Sequence, residues 1–177
     1  MKLLIASDIH GSDYYLDKLI QRIEIEKPDK IVLLGDFLYH GPRNDLPKDY
    51  NPKEMIGKLN AYKDKIIGVR GNCDSEVDQM VLDFPMMADY VELQDNNQVY
   101  LFTHGHLFDS NKLPVFNEGL RVVSGHTHIP INEVKEGVTY LNPGSVSIPK
   151  GGSTHSYLII DNNEIIFKDI EGHPYKI

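Results

Sequence analysis

The chain has one cysteine, Cys73, no long apolar run and no run of lysine or arginine. A single thiol cannot close an internal disulfide, so a reducing compartment is the simplest setting. The N-terminal apolar stretch ahead of Asp8 is too short for a signal-peptide core or a membrane span. A cytoplasmic protein without membrane contact is therefore expected. Without a basic run, and at a formal net charge of −8, the chain does not promise the basic face that nucleic-acid phosphates require. A long nucleic-acid ligand is not expected, although a small anion can bind if a cation sits in its site. Internal repeats, low-complexity tracts and linker-like stretches are missing as well, so residues 1–177 read as one domain. What is present is ordinary globular material: 41% hydrophobic and 25% charged residues, enough for a core without disulfides or structural metal.

Short apolar runs recur, each followed by a polar or glycine-containing turn. KLLIAS precedes Asp8, KIVLLG precedes Asp36, and KIIGVRG precedes Asn72. VYLFT precedes His104 and RVVSG precedes His126. Runs of this length, rich in valine, isoleucine and leucine, suit buried strands. Between the first two, Tyr15, Leu16, Leu19, Ile20 and Ile23 share one face of a helix that Pro28 ends. A second helix is expected from Pro52 to Tyr62, with Met55, Ile56 and Leu59 inward, and a third from Ser75 to Asp83. Beyond Gly105 the pattern becomes strand-rich, with VTYLNPGSV and SYLIIDNNEIIFKDI as late strands and Asp161-Asn162-Asn163 as a hairpin turn. Alternating strands and helices followed by a strand-rich half predict a layered α/β sandwich.

The turns after five of these runs carry Asp8, His10, Asp36, Asn72, His104, His126 and His128. Ligand sites of α/β sheets lie beyond the carboxyl ends of strands, and core packing has no use for metal-ligand chemistry repeated there. Asp8-x-His10 and His126-x-His128, read as extended segments, present each pair to one side, roughly 6–7 Å apart. Such pairs suit two metal ions about 3.5–4 Å apart. Asp36 has two oxygens with which to bridge them, and Asn72 offers a neutral amide oxygen. GD and GN alone are common turn dipeptides; it is the joint occurrence in this order that points to a metal site.

DIHG, GD, GN, THGH, GHTH and NPGS together resemble the calcineurin-like metallophosphoesterase superfamily, over Met1 to about Pro149. HGPRN, GNCDSEVDQM and NPGSVSIPKGG are similar to a subgroup of small bacterial phosphodiesterases. The resemblance implies a four-layer α/β/β/α sandwich of the metallophosphoesterase type. It implies two divalent metal ions, one held by Asp8, His10, Asp36 and His128 and the other by Asp36, Asn72, His104 and His126, with Asp36 and a water or hydroxide bridging. It favours Mn²⁺, while a carboxylate, imidazole and amide donor set also accepts Fe, Co²⁺, Ni²⁺ or Zn²⁺. The implied reaction is hydrolysis of a small-molecule phosphodiester by the bridging hydroxide, without a covalent enzyme intermediate. A phosphomonoesterase of the same fold is the first alternative. A metal-poor interaction scaffold, similar in fold to the retromer subunit, is the second, and the full ligand set argues against it. A cysteine-nucleophile phosphatase is a poor fit, because acids follow Cys73 where an arginine and a phosphate-cradling loop are needed.

Around this set, Arg43 and Asn44 are candidates to hold a phosphoryl oxygen, Arg43 through its fork geometry. Asn142 is expected to order the NPGS turn, His106 to orient a ligand, and His40 to border the pocket. His155 and His173 carry no motif. Many members of the superfamily have histidine where this chain has Cys73, and that histidine is assigned to protonating the leaving group. Cys73, with Asp74 retained beside it, is then a weak or absent general acid. That restricts the enzyme to diesters with good leaving groups. Met86, Met87 and Phe116 are candidates for an interface in a homo-oligomer and equally for the core.

Overall fold

Strand β1 (Lys2–Ala6) has Leu3, Leu4, Ile5 and Ala6 wholly buried, as expected of a strand covered on both faces. In this computed structural model, which describes residues 1–115 and 117–177, it lies at the centre of a five-stranded sheet. Its neighbours are β2 (Lys30–Leu33) and then β3 (Ile66–Gly68), both parallel, on one side. On the other are β9 (Ser156–Asp161) and then β10 (Glu164–Asp169), forming an antiparallel hairpin. The turn of that hairpin holds Asn162 and Asn163 at φ 46° and 69°, the left-handed pair a two-residue loop needs.

A second five-stranded sheet runs in the order β4 (Tyr90–Asp95), β5 (Gln98–Thr103), β6 (Arg121–Val123), β8 (Val138–Asn142), β7 (Ile131–Lys135). Its three inner strands, β5, β6 and β8, are mutually parallel. The edge strands β4 and β7 did not stand out in the sequence. Both alternate or expose polar residues, as edges facing water do, so neither reads as an apolar run.

Helix α1 (Asp13–Glu26) begins where the Ser12 hydroxyl accepts the Tyr15 N–H at 3.3 Å, and ends at left-handed Lys27 before Pro28. It turns Leu16, Leu19 and Ile23 onto the first sheet, together with Met55 and Leu59 of α2 (Pro52–Asn60). Helix α3 is a single turn, Glu76–Gln79, shorter than the Ser75–Asp83 expected. The Gln79 amide explains the early stop: it donates to Leu82 O and Phe84 O and accepts from Met86 N, each at 3.0 Å. Those backbone groups are thereby satisfied without helical partners.

Three apolar layers follow. One lies between the helices and the first sheet, one between the sheets (Leu3, Ile5, Val32, Tyr100, Phe102, Leu158), and one on the outer face of the second sheet. That outer face is covered by loop residues Leu113 and Leu120. The result is a two-sheet α/β sandwich with helices packed on the first sheet. Fully burying one such aliphatic side chain contributes about 1.5–3 kcal/mol relative to exposing it.

Of the two readings of Met86 and Met87, the structure bears out the core. Met86 is completely buried in the helix-side core, and Met87 packs against that core. Phe116 lies outside the described residues. Among the described residues, no helix is long and apolar enough to cross a membrane.

Candidate metal centre

The carboxyl ends of β1, β2 and β3 in one sheet, and of β5, β6 and β8 in the other, open toward one place. The loop after β1 is fastened to the loop after β2 by His10 N–H to Asp36 O (2.9 Å) and Gly11 N–H to Phe37 O (3.0 Å). The loop after β8 is fastened to the first by Val146 N–H to Ser7 O (3.0 Å) and by the Ser145 hydroxyl to Asp8 O (2.8 Å). Asn142 donates to Gly125 O (2.7 Å) and accepts from Gly144 N–H (2.8 Å), so it orders the NPGS turn and steadies the histidine loop after β6.

Asp8, His10, Asp36, His126 and His128 all adopt left-handed backbone conformations, with φ from 50° to 65°. The Asp-x-His and His-x-His segments are thus not the extended pieces that their spacing suggests. Each pair converges because alternate residues turn left-handed. For residues other than glycine this costs roughly 1–2 kcal/mol each, and the inter-loop hydrogen bonds hold it in place. Such strain collects at functional sites.

The seven side chains meet around Asp36. Its Oδ2 lies 3.6 Å from His10 Nε2 and 3.4 Å from His104 Nε2. Asp8 Oδ1 is 3.5 Å from His10 Nε2 and 3.1 Å from His128 Nε2. His104 Nε2 is 3.1 Å from Asn72 Oδ1 and 3.3 Å from His126 Nδ1. On one flank of Asp36 stand Asp8, His10 and His128; on the other stand Asn72, His104 and His126.

The ring orientations show what these atoms face one another for. His10, His104 and His128 place Nδ1 against the backbone carbonyls of Tyr39 (2.9 Å), Leu34 (2.6 Å) and Ile148 (2.6 Å). A carbonyl only accepts, so Nδ1 carries a proton and Nε2 is the nitrogen turned into the site. Asp8 Oδ2 accepts from the Ser7 hydroxyl (2.6 Å) and the His126 N–H (3.0 Å), while buried Asp8 Oδ1 has no hydrogen-bond partner. Carboxylate oxygens and imidazole nitrogens therefore converge at 3.1–3.6 Å. Only protons or cations make that arrangement favourable. Burial alone would push the His104 imidazole down, but the Asp36 and Asp8 carboxylates outweigh it and raise it to about 9. Burial likewise works against the Asp8 carboxylate, yet the surrounding histidines hold it well below its usual value. A nitrogen and oxygen donor set of this kind fits divalent cations, and three overlapping groups here bring ligand atoms within 4.8 Å of one another.

Cys73 belongs to one of these groups, with His10 and Asp36. Its N–H donates to Asp36 Oδ1 at 2.8 Å, and its thiol is pushed up to about 12 by burial and by the Asp36 carboxylate. It is a neutral thiol in the wall of the site. Asp74 does not turn toward the Cys73 side chain. Its carboxylate accepts the N–H groups of Gly71 (2.7 Å), Asp36 (2.8 Å) and Phe37 (2.9 Å), tying the loops after β2 and β3 together. Its place in the site is that of a brace rather than a partner for residue 73.

A cavity of about 420 Å³ lies over these side chains. Arg43 and Asn44 line it, and Asn44 is anchored by its amide to His40 O at 2.9 Å. Thr127 and Lys150 line it as well. Lys150 had no motif to mark it; its loop is placed by Lys150 N–H to His128 O at 3.2 Å. His40 does not line this cavity but packs edge-on between Tyr39 and Tyr50. His106 packs its ring 5.3 Å from that of His104 without a hydrogen bond from its buried Nδ1, so it does not orient a ligand through one. His155 stacks on Tyr15 at 4.0 Å, and exposed His173 pairs with Asp169 at 3.1 Å; both are structural.

The description of the calcineurin-like phosphoesterase superfamily domain matches residues 1–164. The chain is 47% identical over 163 residues to phosphodiesterase YfcE of Escherichia coli K12, covering 92% of this chain and 89% of that protein. It is 30% identical over 167 residues to the probable metallophosphoesterase YsnB of Bacillus subtilis 168, covering 90% and 83%. The solved structure of YfcE, characterised as a phosphoesterase from E. coli, superposes with a TM-score of 0.96 at 43% identity, covering 99% of this chain and 97% of that one.

Proposed function

The chain belongs to the calcineurin-like phosphoesterase superfamily, and on that premise we propose that it hydrolyses small phosphodiesters at a pair of divalent cations. The observation that supports this reading best is the convergence of carboxylate oxygens and imidazole nitrogens on both flanks of Asp36. Asp8, His10, Asp36 and His128 would hold one cation; Asp36, Asn72, His104 and His126 would hold the other. Mn²⁺ is the favoured ion, with Fe, Co²⁺, Ni²⁺ and Zn²⁺ compatible with the same donors. Two such ions supply a water made acidic enough to attack near neutral pH, and positive charge for the phosphoryl oxygens.

The chain's own residues do the rest. Asp36 keeps the two flanks in register, and Asp74 holds the backbone of Asp36 in place through its N–H. Arg43 and Lys150 offer cationic donors to the non-bridging oxygens from separate loops lining the cavity. Cys73, neutral and held to its proton, is a poor acid for an alkoxide leaving group, so aryl diesters are the favoured substrates.

Rates on bis-p-nitrophenyl phosphate and p-nitrophenyl phosphate, before and after chelation and with each metal restored, test the proposal. Loss on chelation and recovery with two equivalents of metal per chain are expected, with the diester cleaved faster. Activity that survives complete metal removal refutes the cation mechanism; a faster monoester refutes the diester preference.

A further inference from the structure

Cys73 stands in the wall of two adjoining depressions. One is the cavity over the metal ligands. The other is a groove of about 560 Å³ whose apolar lining includes Leu38, Tyr39, Tyr50, Ile56, Val77 and Val81. Among these, Tyr39, Val77 and Val81 are 41%, 67% and 38% exposed, which is unusual for apolar side chains gathered in one place. The acid bordering the groove is already occupied: Asp78 accepts the Ser75 N–H at 2.8 Å and its hydroxyl at 3.1 Å. The groove thus offers apolar contact and few free directional groups. It is also tied to the metal centre through the backbone, since the Tyr39 carbonyl accepts from His10 Nδ1 at 2.9 Å.

We propose that this groove is a substrate subsite that receives one ester substituent, an aromatic or branched apolar group, while the phosphoryl group lies across Cys73 in the metal cavity. The assignment rests on the phosphodiesterase reading above and narrows it to diesters carrying such a group. Size favours a small group over a second copy of the chain. A stable protein interface needs about 800 Å² from each partner, whereas a concavity of a few hundred Å³ suits a small molecule. Continuity with the cavity selects the substrate itself as that molecule. Tyr39 and Tyr50, both edge-on to the His40 ring with centroids 4.8 and 5.1 Å away, give an aromatic substituent preformed surfaces to lie against.

The test compares Mn²⁺-loaded wild type with the doubly substituted Val77→Ser/Val81→Ser variant, both measured on bis-p-nitrophenyl phosphate with inorganic phosphate as a competitive inhibitor. Both positions lie outside the proposed metal ligands, and the substitutions leave the charge unchanged. The KM for the aryl diester is expected to rise about threefold or more, while the Ki of phosphate, which lacks a substituent, stays the same. The Val77→Ile/Val81→Ile variant is expected to keep or lower the wild-type KM. An unchanged KM in the serine variant overturns the proposal, and so does a parallel rise in KM and phosphate Ki. Loss of an oligomer on sedimentation with KM unchanged would assign the groove to an interface instead. A wild type that cleaves no diester with any metal refutes the underlying function, an outcome distinct from an active enzyme indifferent to these substitutions.

Discussion

Replacing Asp74 by alanine removes the acceptor for the backbone N–H groups of Gly71, Asp36 and Phe37, all three on buried residues. A buried donor left without a partner costs about 1–3 kcal/mol, so the three together cost about 3–9 kcal/mol. That is a large fraction of the roughly 5–15 kcal/mol that separates a folded domain from its unfolded chain. Asp74→Asn is the informative companion. Its oxygen can keep two of the donors while its NH₂ faces the third, for a loss of about 1–3 kcal/mol. Urea unfolding of both variants should be followed in chelator, so that metal binding does not add its own stabilisation. The expected order is wild type, then asparagine, then alanine. A loss below about 1 kcal/mol in the alanine variant would refute the bracing role. A collapse of turnover with unchanged unfolding midpoints would place Asp74 in the chemistry instead.

At Gly125 a methyl group would overlap the Ser7 hydroxyl and lie 2.7 Å from Asp8 Oδ2. Gly125→Ala should therefore lose about 2–3 kcal/mol of stability by overpacking and lower metal affinity; a thermal midpoint matching wild type would refute this. Glu26 accepts from Lys2 (2.8 Å) and Tyr157 (3.2 Å) and also pairs with Lys168. Burial would raise its carboxyl, but Lys168 and Lys2 outweigh that and hold it below 4.5. A depressed folded value contributes stability above the unfolded one, and that contribution fades as pH falls through the folded value. Glu26→Gln should thus be less stable than wild type at pH 7, with the gap closing below about pH 4.5; a gap that widens in acid would reverse the sign. Cys73→Ala should retain bound metal and aryl-diester hydrolysis within about threefold, and Cys73→His should speed cleavage of diesters with poorer leaving groups by tenfold or more. Loss of metal from the alanine variant would instead make Cys73 a ligand.

Much of the site was legible before any coordinates, because metal ligation demands particular donor atoms and α/β sheets place ligand residues after strands. Asp8, His10, Asp36, Asn72, His104, His126 and His128 could be picked out on those grounds, and the buried strands announced themselves as valine, isoleucine and leucine runs. The edge strands β4 and β7 could not, since one open side removes the apolar signal. Whether Met86 serves a partner or the core stayed open, because its hydropathy says that it seeks burial and not where; the fold buries it in its own core.

Residue identity and order determined the donor atoms, the strands that carry them and the cysteine that departs from the family pattern. Tertiary structure decided what those residues do together. The left-handed turns at Asp8, His10, His126 and His128 bring side chains together where an extended reading would set them farther apart. The carbonyls of Leu34, Tyr39 and Ile148 choose the tautomers. Asp74 becomes a brace, and Lys150 arrives at the cavity from a loop with no motif. The reason is physical: the chemistry of a side chain is local, but its direction, protonation and neighbours are set by backbone groups from other strands, which meet only when the two sheets pack.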